Sequence, residues 1–161
     1  MARYDIESLI DDIKRIIVDH YNDALTAIDT EKGDFVLKKL ETSDGIALFD
    51  SNASNLARDP NMTINVTTDD PLDNAVGGHA VDVEIWLRVR ETAERDGILE
   101  RRIFRYMRAL YQLFVVDVRK YNIQAIANVS TIGYFGEPTE GRNVPRKTIL
   151  TGGIVLQCRI S

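Results

Sequence analysis

Apolar residues recur at three- and four-residue steps in two stretches of the chain and at two-residue steps in several others. In the first stretch Ile6, Leu9, Ile10, Ile13, Ile17, Ala24 and Ile28 fall on one face, which predicts an amphipathic helix over Asp5–Ile28. Asp5, Glu7, Asp11 and Asp12 crowd its first turns, where the helix dipole favours negative charge, and "DTEKGD" ends it with Gly33 as a left-handed cap. Two short apolar runs, Phe35–Leu40 and Ile46–Phe49, flank "SDG", and Asp-Gly between such runs predicts a hairpin. "MTINVTT" then alternates, with Met62, Ile64 and Val66 facing one way. The longest alternation follows: Val81, Val83, Ile85, Leu87 and Val89 line one face of a strand and Asp82, Glu84, Trp86, Arg88 and Arg90 the other. A second helix is predicted over Thr92–Val118, with Leu99, Ile103, Tyr106, Leu110, Leu113 and Phe114 as its stripe and Asn122 closing it. Two strands, "IQAIANVSTIGYF" and "KTILTGGIVLQCRIS", complete the chain, joined by the loop "GEPTEGRNVPR".

The order helix, hairpin, two strands, helix, two strands places the chain in the α+β class. The expected architecture is a mostly antiparallel β-sheet with two long helices packed on one face, plus a β-hairpin. With 161 residues, 44% of them hydrophobic, one core and one domain spanning 1–161 are expected. No repeat, low-complexity tract or linker divides it.

Charge narrows the function classes. A net charge of −5 argues against nucleic-acid binding through overall charge, although a local basic stripe is compatible with it. The single cysteine, Cys158, fits a reducing compartment. The charged start "MARYDIESLIDD" has no signal-peptide character, and no apolar run is long enough to span a bilayer. A soluble protein made in a cytoplasm, without a membrane partner, is the expectation.

Candidate chemistry is sparse. Gly77–Gly78–His79 resembles a phosphate cradle until its context is read: the glycines lead into a strand, whereas an anion site needs a helix N-terminus after them. Asp69, Asp70 and Asp73 do not follow a calcium-loop pattern, and His20 and His79 are too few and too separated for a zinc set. A small-ligand or metal-dependent site in the Asp69–Glu84 region is therefore the weaker reading, behind a solvated acidic loop. Cys158 shares a face with Ile154, Leu156 and Ile160, the setting of an inert buried thiol. No catalytic residue, cofactor or metal is expected, and the chain does not read as an enzyme.

Two surface features remain. Arg101, Arg105 and Arg108 form a stripe on the second helix, with Arg102 beside it; it is either a solvated or ion-paired face or a phosphate-facing one. Trp86, opposite the valines of its strand, either packs beneath a helix or fills an interface. Gly152–Gly153 marks a bulge or a close backbone approach, and the closing strand is an edge that a partner subunit could cover.

The leading helix "IESLIDDIKRIIVDHYNDALTAI" with "DTEKGD", the strand "VDVEIWLRVR", the helix "ILERRIFRYMRALYQLF" and the closing "TGGIVLQCRIS" together resemble the tail-terminator (tail-completion) proteins of long-tailed bacteriophages. The resemblance covers most of the chain as an order of elements and carries no catalytic motif. It implies a structural subunit of a hexameric ring at the head-proximal end of the virion tail, assembled in the host cytoplasm. Such a ring caps the tail tube, stops its polymerisation and offers the head connector a docking surface. The implied partners are further copies of the chain, the tail-tube protein and the head–tail connector protein, with non-specific contact to DNA passing through the channel. Arg101, Arg105, Arg108 and Trp86 are the interface or DNA-channel candidates. A different phage or phage-derived assembly factor, such as a neck protein or the cap of a contractile injection system, is the alternative.

Overall fold

A computed structural model describes residues 4–42, 44–48, 58–72, 78–91, 97–139 and 146–160, with side chains omitted at 133–139 and 146–148. Helix α1 spans Ile6–Lys32. Its N-cap is Asp5, whose carboxylate accepts a 2.8 Å hydrogen bond from Ser8 N–H. Gly33 closes it at φ 74°, donating its N–H to Asp29 O. The helix therefore runs one turn beyond Ile28, to the glycine that stops it.

Strand β1 (Ile46–Leu48) runs parallel to β2 (Asn61–Pro71), and β3 (His79–Arg90) is antiparallel to β2. Helix α2 (Ile98–Tyr111) continues into a π turn, Gln112–Val116, and a 3-10 turn, Val118–Tyr121. Asn122 ends this run at φ 58°. Strands β4 (Ile126–Thr139) and β5 (Arg146–Ile160) complete one five-stranded sheet in the order β1-β2-β3-β5-β4. The closing strand, expected at an edge, is thus paired on both sides, by β3 and β4. Only the β1–β2 pair is parallel, so the sheet is mostly antiparallel and the fold is α+β. The expected helix start at Thr92 lies outside the described residues; α2 begins at Ile98.

The two-residue period of β3 is realised in full. Val81, Val83, Ile85, Leu87 and Val89 are each 0% exposed, in one core with Leu9, Ile13 and Ile17 of α1 and Ile103, Tyr106 and Leu110 of α2. Asp82, Glu84, Trp86 and Arg88 occupy the opposite, half-buried face. Both helices thus cover one side of the sheet.

The hairpin expected from Phe35–Leu40 and Ile46–Phe49 does not form at that place. Antiparallel neighbours joined in sequence are instead β2–β3 and β4–β5. Residues 35–40 form no strand, with Phe35 at φ 49° and the backbone groups that follow taken by side chains. The Tyr106 hydroxyl donates to Lys38 O at 2.7 Å and accepts from Lys38 N–H at 2.8 Å. The Asn22 amide does the same for Leu40, donating to its carbonyl at 2.9 Å and accepting from its N–H at 2.8 Å. A strand partner would compete with both pairs. The Asp44–Gly45 turn forms, closed by Gly45 N–H to Glu41 O at 2.8 Å, but it delivers β1 to β2. A Cβ at Gly45 would run into the Glu41 carbonyl, so that turn needs glycine.

Candidate functional site

The arginine stripe of α2 meets the C-terminal end of α1. Arg105 holds Asp34 in a two-pronged pair, with Nη1 on Oδ1 and Nη2 2.7 Å from Oδ2, and Nη1 also lies 3.5 Å from Asp29 Oδ1. Arg108 grips Glu31 through contacts of 3.1 and 2.7 Å. Hydrogen bonds from these guanidiniums hold the Asp34 and Glu31 carboxyls below their ordinary ranges, and the same bonds raise both arginines. Arg101 is exposed and makes no ion pair among the described residues. Two members of the stripe therefore clasp α1 of their own chain, while Arg101 acts on Asp34 through its charge without an ion pair among the described residues.

Arg102, beside the stripe by sequence, turns inward and is 1% exposed. Its Nη1 donates to Arg90 O at 2.9 Å and to Glu91 Oε2 at 3.2 Å, and its Nη2 reaches both Asp59 oxygens at 3.2 Å. Burial works against the charge, but the Tyr106 hydroxyl and Asp59 outweigh it, so the group stays protonated. Lys38 Nζ also reaches Asp59 at 3.2 Å, and Arg90 N–H donates to Asp59 Oδ1 at 2.9 Å. This cluster locks the approach to β2 onto the end of β3 and onto α2.

Trp86 lies on the sheet face turned away from the helices. Its register partners are Thr63 on β2 and Gly153 on β5. A Cβ at Gly153 would sit 2.9 Å from Ile85 O and 3.0 Å from Trp86 Cε3, so glycine is what lets the indole lie across β5. The indole N–H donates to Glu84 Oε2 at 2.7 Å. Of the two places open to Trp86, it is not beneath a helix. Opposite Gly152, β4 shifts register between Ile132 and Phe135, a bulge at the point the two glycines marked.

The Asp69–Glu84 region is split by these contacts. His79 Nδ1 donates to Asp69 Oδ1 at 2.7 Å across the β2–β3 pair, Glu84 serves Trp86, and Gly78 O accepts from Leu72 N–H at 2.9 Å. Asp73 and Gly77 lie outside the described residues. Among the described residues no three His, Cys, Asp or Glu side chains converge as a metal set. His20 stacks on Tyr121 with centroids 4.5 Å apart, whereas His79 is engaged with Asp69. Burial, with Asp82 nearby, pushes the Cys158 thiol up to about 12, which keeps it protonated and unreactive. No helix among the described residues is long and apolar enough to cross a membrane.

Several large apolar side chains that the sequence reading did not single out are exposed. Phe35 is 69% exposed, Val116 57%, Phe104 54% and Tyr111 47%. Each forgoes part of the roughly 1.5–3 kcal/mol that burying a large apolar side chain provides. Phe104 and Tyr111 of α2 and Val115 of the π turn do occur at helical spacing, so that signal was present in the sequence. Phe35 had none, because it lies outside any periodic element. No protein-family model and no curated protein sequence matches this chain.

Proposed function

We propose that this chain is a non-enzymatic assembly subunit, the tail terminator of a long-tailed phage. As a ring, expected to be hexameric, it caps the tail tube, halts tube polymerisation and receives the head connector. The observation that carries the reading is the order of elements resembling that family. It is supported by an α+β layer in which Arg105 and Arg108 of the stripe are spent on internal clasps and whose surface retains large exposed apolar side chains. A protein that works by contact needs such a surface and no constellation of reactive groups. The partners under this reading are further copies of the chain, the tail-tube protein and the connector protein.

The test has two arms. Mass photometry of the purified chain over a range of concentration and salt is expected to show a closed oligomer. Added to polymerising tail-tube protein, the chain is expected to stop growth and to appear at one tube end by electron microscopy. A chain that stays monomeric and leaves tube length unchanged overturns the proposal.

A further inference from the structure

Phe35 combines two unfavourable features. It is the most exposed of the large apolar side chains described, and its backbone sits at φ 49°, a left-handed conformation that a bulky residue adopts only under constraint. The constraint is visible on both sides. Asp34 is held by Arg105, Leu37 N–H donates to Asp29 Oδ2 at 3.1 Å, and both backbone groups of Lys38 are held by the Tyr106 hydroxyl. The strap thus presents the ring outward, next to Lys38 and to Lys39, which makes no ion pair among the described residues.

A cavity of about 350 Å³ opens elsewhere on α1, where the helix meets the π and 3-10 turns. Ala27, Ile28 and Leu113 form its apolar part, and its rim carries Asp23 and Asp117 together with the Glu31–Arg108 pair and His20. Asp23 makes no ion pair among the described residues. Leu25, Thr26 and Asp29 border the groove beside Phe35, whereas Asp23, Ala27 and Glu31 border the cavity. With about 3.6 residues per turn, these two sets lie on opposite flanks of the helix.

We propose that Phe35 of one copy seats in this cavity of the next copy, in a head-to-tail contact. The fit is one of size and charge. A cavity of about 150 Å³ already holds a benzene ring. Lys39 beside the ring meets Asp23 on the rim, the two charges left once Lys38 is paired with Asp59, Glu31 with Arg108 and Asp117 with Lys120. Because knob and hole occupy opposite flanks of α1, the contact is heterologous and repeats from copy to copy, the kind of interface from which rings are built. The inference rests on the ring reading and specifies the surfaces that form it.

Two variants test it from opposite sides. Phe35→Gly removes the knob and also relaxes the positive φ, so its thermal unfolding temperature is expected to hold or rise. Ala27→Phe, at an exposed position, fills the hole with the chain's own ring. Sedimentation equilibrium is expected to show each variant needing at least about tenfold more protein to assemble, the loss of a central aromatic anchor. Mixed in equal amounts, the two are expected to form heterodimers that grow no further, since the mixture holds one intact knob and one intact hole. Variants that assemble as the wild type does, or a mixture without heterodimers, overturn the contact while leaving wild-type rings intact. A wild-type chain that remains monomeric overturns both this contact and the ring.

Discussion

A guanidinium taken out of water must recover its hydration from protein acceptors, and removing it strands those acceptors in turn. Arg102 meets most of that requirement with the Arg90 carbonyl, Glu91 and both oxygens of Asp59, only its Nε lacking a partner. Arg102→Ala is therefore expected to cost about 3–5 kcal/mol in urea unfolding, the range for breaking a buried pair from one side. Arg102→Lys is expected to recover only a minor part, because one ammonium cannot span acceptors that the planar fork reaches together. Wild-type stability in the lysine variant would show that charge alone matters there. This role was not legible in the sequence. Arg102 stands next to the stripe, and its acceptor Asp59 lies 43 residues away in a polar stretch that reads as loop. Cys158 was legible, because a strict two-residue period assigns a strand residue to one face without knowledge of its partner.

Between elements, the clasp of α1 and α2 carries a pH signature with a definite sign. The Asp34 and Glu31 carboxyls lie below their ordinary values of 3.8 and 4.5 in the folded chain. Near those values the unfolded chain binds more protons than the folded one, so stability rises with pH. The contribution is fully present above about pH 5 and is lost as pH falls through the lowered folded values. Asp5 and Asp117, lowered by hydrogen bonds from Ser8 and Lys120, act in the same direction. Urea midpoints between pH 3 and pH 7 are expected to fall towards acid, and to fall less steeply in Arg105→Gln, where Asp34 has lost the bond that lowers it. An unchanged slope in that variant would show that the pair does not hold in solution. The helices that carry the clasp were readable from periodicity, as were β2, β3 and the closing strands. The misplaced hairpin was not, because residues 35–40 have the composition of a strand while Tyr106 and Asn22, from two other elements, take its hydrogen bonds. Local pattern cannot register a side chain arriving from elsewhere.

Across the whole molecule, the same pairs decide what the arginine stripe can offer to DNA. The chain carries a net charge of −5, so any contact with phosphates must come from a local group of cations. Arg105 and Arg108 are each committed to a carboxylate through two contacts, and leaving it would expose Asp34 and Glu31 to the same phosphates. Arg101 touches Asp34 only through its charge and would strand no hydrogen-bonded carboxylate. Each phosphate neutralised steepens the fall of log affinity with log salt by about 0.9. Fluorescence anisotropy with duplex DNA is therefore expected to show the slope flattening by about one per subunit in Arg101→Ala. Arg108→Ala, which removes an exposed member of the clasp, is expected to leave the slope where it was. If Arg108→Ala flattens it equally, the arginines abandon their acids when DNA is present, and the stripe faces the channel as a unit. A slope insensitive to all three arginines would instead reserve this face of α2 for protein, joining it to the exposed Tyr111 and Val116 that lie further along the same run.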